Sequence, residues 1–513
     1  MSSNAASADH DRRSVTLLRV ATIIAAVAVA ALVYWALGYA ASGGAEGLSP
    51  AARAVAAIGA MMALLWMTQA VPLAATALLP LVLFPLTGVS SPDKAAAPYA
   101  HPLIFLFLGG FLIAETLCRC KLDRRIALLI VHSVGVRPSR LVGGFMAATA
   151  LLSMWISNTA TTMMMLPIAV SLLGLLDARP KETGDSSDDE SYSTLATSLL
   201  LGVAYASSIG GLATLIGTPP NLVLAGYVKS TYDVEIGFGR WMAFAAPLSL
   251  LFLVLAWLLL TKILFRADHL TLAGGREIIG RELQKLGPVT FYQWAVLSVF
   301  TATALAWMLR EPLAAWPWLV ARAPWVSSVN DTTIAVVGAL VLFALPVDWR
   351  RGQFALDSRA VRNVPWDVLV LFGGGLSVAD AVRSSGLGDW LGQQVAALGN
   401  LPPWAIIALA TALVIFLTEL TSNTATATTF LPILGGVAAG IGLVEPLELL
   451  APAALAASCA FMMPVATPPN AIVFGSGRLS LGSMMWAGWW LNWLGIVVIP
   501  LLAIWWGGWI FSG

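Results

Sequence analysis

From about residue 20 onward the chain alternates apolar runs of bilayer length with short charged loops, and this alternation predicts its elements. Spans are expected at about 20–41, 51–69, 71–88 and 102–119, the last ending at Arg119, Lys121, Arg124 and Arg125. Four crossings put that basic segment on the side of an N-terminal tail carrying Arg12 and Arg13, and the Lys and Arg excess makes that side cytoplasmic. The first apolar run exceeds the roughly 7 to 15 residues of a secretory signal core, so an uncleaved span is expected. Residues 122–137 set Ile126, Leu129 and Ile130 against Arg124 and Arg125, the amphipathic pattern of an arm lying at the interface.

Segment 141–176 is apolar but flanked by basic residues at both ends, so it enters and returns on one side. Two full spans joined by a tight turn satisfy the same parity, yet a water-facing turn normally carries Gly, Asp or Lys. The centre here reads Trp-Ile-Ser-Asn-Thr-Ala from Trp155. It predicts a re-entrant hairpin whose tip stops inside the membrane, where non-helical backbone survives only if buried in protein or lining a wet cavity. After an acidic, Ser-rich loop at 182–193, the stretch 195–229 is too long for one straight span and is interrupted by Gly210-Gly211 and Gly217-Thr218-Pro219-Pro220-Asn221. It reads as a broken helix, followed by a span at 241–264 and a loop with Lys262, Arg266, Arg276, Arg281 and Lys285.

The second half repeats this order. Spans at 291–309 and 332–346 lead to a basic loop with Arg350, Arg351, Arg359 and Arg362, and the next span, 366–382, crosses outward where 102–119 crossed inward. An arm at 387–399 (Leu387, Leu391, Val395, Leu398), a hairpin at 404–440 entering from outside, a broken helix at 451–480 and a last span at 485–510 complete the chain. The seven tryptophans from Trp486 to Trp509 read as lipid and interface anchors. The expected fold is an all-α polytopic membrane protein of about eleven spans and two hairpins in inverted repeats. Its divisions are residues 1–50 (tail and first span), 51–290 and 291–513.

Two motif pairs mark the repeat. Ser157-Asn158-Thr159 and Ser422-Asn423-Thr424 each begin Ser-Asn-Thr-Ala-Thr and are followed by Leu166-Pro167 or Leu431-Pro432. Gly217-Thr218-Pro219-Pro220-Asn221 then has its twin in Ala466-Thr467-Pro468-Pro469-Asn470. Inverted repeats with interrupted helices point to a secondary transporter with its site near the midplane. A helix starting after each Ser-Asn-Thr turns free N–H groups and its positive dipole end inward, which suits an anion. The preceding helix end offers carbonyls to a cation such as sodium, and the prolines leave the carbonyls of Gly217 and Ala466 free. The hydroxyls of Thr159 and Thr424 suit carboxylate oxygens. No Lys, Arg or His lies in the motif cores, so bound anion charge would lean on co-bound cations. Any single Ser-Asn-Thr is equally explained as polar glue between membrane helices; two copies in inverted halves, each with its Pro-Pro partner, are not.

With 58% hydrophobic and 11% charged residues the chain is no soluble domain, and a net charge of +1, its positive residues clustered in inter-helix loops, gives no argument for nucleic acid. Cys118, Cys120 and Cys459 form neither a disulfide framework nor a zinc spacing. Paired carboxylates, a His-rich helix and Gly-x-Ser-x-Gly are missing, which excludes the usual enzyme constellations. Blind hairpins from opposite faces suit alternating access better than a channel. Glu419 is an intramembrane carboxylate with two readings, functional group or cap. Glu115 and Asp380, near span ends, read as satisfied structural groups, and His101, His132 and His269 receive no ligand role.

These motifs, with the run His101-Pro-Leu-Ile-Phe-Leu-Phe-Leu-Gly-Gly110, resemble the divalent anion/sodium symporter family over nearly the whole chain. The resemblance implies that Ser157, Asn158, Thr159, Thr218, Pro219, Ser422, Asn423, Thr424, Thr467 and Pro468 bind substrate carboxylates. It places one sodium site on Ser153, Ser157, Asn158 and Gly217, and a second on Thr418, Thr421, Asn423 and Ala466, Thr421 acting through its carbonyl. It further implies a homodimer and an elevator-like slide of a transport domain against a scaffold. The expectation is a bacterial plasma-membrane symporter importing a C4-dicarboxylate such as succinate, malate or fumarate with two or more Na+, its N-terminus cytoplasmic and its C-terminus external. A sodium-independent exchanger, or a carrier of citrate or sulfate, is the alternative.

Overall fold

A computed structural model describes residues 2–42, 48–135, 137–177, 186–266, 275–348, 350–396, 401–441, 443 and 445–511. Part of the acidic loop expected at 182–193, with Arg179, Lys181, His269 and Leu398, lies outside the described residues. Helices dominate. Among the described residues the strands form one small antiparallel ribbon, Pro346–Asp348 with Gln353–Phe354.

Seven described helices are long and apolar enough to cross a membrane: Thr16–Tyr39, Pro50–Thr68, Pro92–Arg119, Tyr192–Gly211, Phe238–Leu264, Phe291–Ala314 and Leu481–Phe511. Trp366–Ser384 joins the next helix at a 73° bend, separating the expected span from its arm, Leu387–Ala396. Two expected spans, 71–88 and 332–346, are divided or shortened, and the broken helix expected at 451–480 is in two pieces. Segment 71–88 divides into Leu73–Thr76 and Leu79–Leu86. Pro72 and Pro80, which lack an N–H, fit only at the start of each piece. Segment 332–346 is the shorter helix Asp331–Ala344, and 451–480 consists of Leu447–Ala457 and Pro468–Phe474.

The first arm is Leu122–Val134, but its faces differ from the expected ones. Arg125 is buried and donates to the carbonyls of Gly287 (2.8 Å) and Leu286 (3.1 Å), while Leu129 is half exposed. A guanidinium can be buried where several carbonyls meet its donors, a partnership invisible to local periodicity. Glu115 and Asp380 are satisfied as expected, by Arg119 and Arg383. His101 caps the helix Pro102–Arg119 by accepting from Leu103 N–H.

Both hairpins form. The first is Pro138–Ser153 and Asn158–Asp177, the second Pro403–Thr418 and Asn423–Gly440. In each, a proline opens the first helix and the Asn of Ser-Asn-Thr opens the second. The broken helices interrupt earlier than their prolines suggest. Ser186–Gly211 stops before Pro219–Tyr232 begins, and Leu447–Ala457 stops before Pro468–Phe474. The prolines start the second helices and leave Thr218 and Thr467 extended as N-caps.

The repeats interlock. Each hairpin packs on its own broken helix, and the second piece of each broken helix packs on the opposite hairpin: Pro468–Phe474 on Asn158–Asp177, and Pro219–Tyr232 on Asn423–Gly440. Backbones touch where these elements meet. A Cβ on Gly210 would lie 2.4 Å from the carbonyl oxygen of Ala150, so only glycine lets broken helix and hairpin approach. One large apolar cluster spans these elements, and a separate one gathers on the helix Pro50–Thr68.

Candidate functional site

The interlock brings both hairpin turns and both helix breaks to one cavity of about 710 Å³. All ten residues expected to contact substrate line it: Ser157, Asn158, Thr159, Thr218, Pro219, Ser422, Asn423, Thr424, Thr467 and Pro468. Gly217 and Ala466 line it too, whereas Ser153, Thr418 and Thr421 sit buried behind the wall. The helices Asn158–Asp177, Asn423–Gly440 and Pro219–Tyr232 begin at this cavity, so their N-terminal N–H groups and positive dipole ends converge on it. None of its lining residues is Lys, Arg or His. Thr159 and Thr424 are partly exposed. Thr218 Oγ1 pairs with Ser458 Oγ at 3.2 Å, joining the two breaks.

Behind each turn lies an oxygen cluster. In the first half Ser153 Oγ donates to the Ser207 carbonyl at 2.7 Å and stands 2.7 Å from the Asn158 amide. The amide atom facing Ser153 also lies 3.1 Å from Ser207 O and 3.3 Å from Gly217 O. With Oδ1 there, side-chain and main-chain oxygens of four residues converge, a hard donor set suited to a sodium ion. Turned over, the amide donates to all three neighbours instead, so the same side chain satisfies the cluster with or without a cation. In the second half Thr418 Oγ1 bonds Asn423 Oδ1 at 3.0 Å and the Ala457 carbonyl at 2.8 Å. The Thr421 hydroxyl is engaged by Leu417 O and Thr426, which leaves its carbonyl as the atom to offer.

Asn221 and Asn470 hold the breaks open. Asn221 Nδ2 donates to the carbonyls of Gly211, Leu212 and Thr214 (3.2, 3.1 and 2.8 Å), and Asn470 Nδ2 to those of Ala460 and Met463 (3.1 Å each). These bonds fix the non-helical segments and so the carbonyls of Gly217 and Ala466. Glu419 turns away from the cavity and braces the second break. Its carboxylate accepts from the backbone N–H of Phe461 (2.7 Å), Met462 (2.9 Å) and Met463 (3.1 Å) and from Asn492 Nδ2 (2.9 Å). A carboxylate with four donors is a satisfied buried group, and this geometry favours the capping reading.

Several contributors were not legible in sequence. The carbonyls of Ser207 and Ala457 belong to residue types without distinctive chemistry, and only tertiary packing brings them to the clusters. Gln69, Asn363 and Asp367 line the cavity from elements outside the motifs. The pairing of Trp155 with Phe238, stacked at 5.9 Å, seats the first hairpin turn, and nothing in local sequence announces it.

The model of the sodium:sulfate symporter transmembrane region matches residues 19–512. A protein of Staphylococcus saprophyticus named sodium-dependent dicarboxylate transporter SdcS is 42% identical over 458 residues, covering 89% of this chain and 86% of that one. Its namesake in Staphylococcus aureus strain USA300 is 41% identical over 453 residues, covering 87% and 84%. Among solved structures, Neisseria gonorrhoeae MtrF, described within a class of antimetabolite efflux pumps, aligns with a TM-score of 0.56 at 11% identity, covering 82% of this chain and 84% of that one. The Alcanivorax borkumensis YdaH transporter aligns at 0.52 and 17% identity, covering 82% and 87%. At such identities these two likenesses speak to fold alone.

Proposed function

The chain belongs to the divalent anion/sodium symporter family and is a membrane transporter, not an enzyme; from that premise we propose that it imports a C4-dicarboxylate with two or more sodium ions. The named sodium-dependent dicarboxylate transporters support both the ion and the substrate class. The observation that carries the proposal is the repeated oxygen cluster, Ser153–Asn158–Ser207–Gly217 and Thr418–Asn423–Ala457, behind a cavity lined by no cationic side chain. An anion there has helix N-termini and hydroxyls to hold it, but full charge compensation requires cations. Asn158 and Asn423 stand between cluster and cavity, so each couples the two occupants. Sodium at Oδ1 fixes the amide and with it the N-terminal turn that faces the carboxylate. Ser157, Thr159, Thr218 and Pro219 form one carboxylate wall, and Ser422, Thr424, Thr467 and Pro468 the other. Thr421 and Ala466 complete the second sodium site with their carbonyls.

The cavity also reaches Asn363, Pro365 and Asp367, which follow the basic loop with Arg359 and Arg362. That loop lies on the cytoplasmic side by charge, so the conformation is read as inward-facing. The N-terminus is then cytoplasmic and the C-terminus external in the bacterial plasma membrane. The divisions 1–50, 51–290 and 291–513 follow the repeat, with hairpins and broken helices moving against a dimeric scaffold in an elevator.

The test is radiolabelled succinate uptake into proteoliposomes under sodium, potassium or no gradient, with and without internal succinate. Uptake driven by an inward sodium gradient alone is expected. Uptake that needs internal dicarboxylate and ignores sodium would make the protein an exchanger, and none in any arm would move the substrate to citrate or sulfate.

A further inference from the structure

A second cavity, of about 330 Å³, lies between the helix Pro50–Thr68 and the second hairpin. Gly59 and Ala63 face it from one side, Pro432 and Ile433 from the other, and Val33 and Leu37 of the first helix close it outward. Its lining is apolar apart from two threonines. Thr428 Oγ1 is bonded to the Thr424 carbonyl, while the Thr429 hydroxyl is buried without a protein partner. The cavity is about twice the size of an engineered apolar cavity of about 150 Å³ that stays dry and takes up benzene. A Cβ at Gly59 would meet nothing within 4 Å, so the floor is open space.

Chemistry and access together name the occupant. The outer wall is one helix thick, and of the most apolar stretch of that helix, Thr16–Tyr39, only 6% of the residues are buried, with Leu32 and Trp35 largely exposed. In a membrane transporter this surface meets acyl chains, and the cavity lies directly behind it, against Val33 and Leu37 of that helix. Burial from water supplies no gain inside a bilayer. The gain is dispersion, because atoms lining a void lack partners on one side. We propose that the cavity holds the acyl chain of a bilayer phospholipid, seated between the helix Pro50–Thr68 and the helix Asn423–Gly440 that carries the second Ser-Asn-Thr. A fluid chain then fills the space between these two elements beside their direct packing around Ala425. The proposal does not depend on which anion is carried.

The full chain would be reconstituted in vesicles containing phosphatidylcholine with a diazirine midway along one acyl chain, illuminated, digested and mapped by mass spectrometry. Adducts are expected within residues 55–66 and 428–433. They should be lost in Gly59→Leu, which fills the open floor, while adducts on Leu32 and Trp35 persist. Ala63→Leu fills the same space one turn on and decides the matter if the first variant does not fold. Adducts that persist in both filled variants, or that occur only on the outer face of the first helix, would overturn the proposal. So would crosslinks from these segments to a second copy of the chain, which would make the cavity a protein contact.

Discussion

The two hairpin turns do the same job on different supports. In the first half the break is closed by glycine: a Cβ on Gly217 would lie 2.4 Å from Gly211 O, and one on Gly211 would lie 2.7 Å from Asn158 Oδ1. Ten and four residues before the clamping asparagines, the second half has Ala460 and Ala466 where the first has Gly211 and Gly217. That break is instead braced by Glu419, whose counterpart after Ser153 is Met154. The first turn is also seated by Trp155 against Phe238 and Phe300, whereas Leu420 at the matching place is 72% exposed. The repeat therefore preserves the donor set and leaves its scaffolding free to differ. Backbone carbonyls can be aimed either by close packing or by a buried acceptor.

The largest effect expected from this contrast is at Glu419. Glu419→Gln puts an amide donor among backbone donors and should cost about 3 kcal/mol or more, since bonds to a charged acceptor are worth about 1.5–3 kcal/mol each and unmet buried donors carry their own penalty. Thermal unfolding in detergent measures this, and Met154→Gln is the matched control. Equal loss at both positions would break the comparison.

Next come the two asparagines proposed to join ion and substrate. Asn158→Ala and Asn423→Ala should each raise the sodium concentration for half-maximal uptake by roughly 10- to 100-fold, from about 1.5–3 kcal/mol of lost polar contact, and weaken succinate binding in parallel. Unchanged sodium activation in either mutant would remove the coupling model. Gly217→Ala is smaller, about 1–3 kcal/mol of overpacking, read as weaker sodium activation. Its mirror, Ala466→Gly, should leave sodium activation near that of the parent; if both behave alike, close packing is not what aims the first break.

The smallest effect concerns the outer contact between halves, where Arg119 Nη1 donates to Asp357 Oδ1 at 2.8 Å. That hydrogen bond, with help from the charge, holds the Asp357 carboxyl below its usual range despite exposure. A depressed folded-state pKa gives stabilisation that is complete above the unfolded carboxylate pKa and is lost as pH falls through the folded one. Arg119→Ala should therefore leave neutral-pH uptake almost unchanged, as exposed ion pairs contribute little, and should flatten any acid-side loss of thermal stability relative to the parent.

The arms and hairpins were legible because their signals are local. Flanking charges set the parity of 141–176, and the residues of Ser-Asn-Thr are poor at a water-facing turn. The segment 71–88 misled because its hydropathy is that of a span, while Pro72 and Pro80 cut it into short helices. Arg125 misled for the opposite reason, its carbonyl partners lying some 160 residues away. At the candidate site, the Asn158 and Asn423 motifs and the Thr-Pro-Pro pairs could be picked out because each is a local pattern, and the structure gathers all four at one cavity.

By itself, then, the sequence determined the membrane class, the repeat, the two turns and the polar atoms that gather at them, since each follows from hydropathy, charge bias or a motif within one segment. Tertiary structure alone decided that opposite halves interlock around one cavity, that Ser207 and Ala457 lend their carbonyls, and that Glu419 braces a loop rather than facing the cavity. Carbonyls are common to every residue, and a carboxylate's role depends on which donors surround it. Neither is written in the identity of the residue, and both appear only when distant backbone is brought within hydrogen-bond reach.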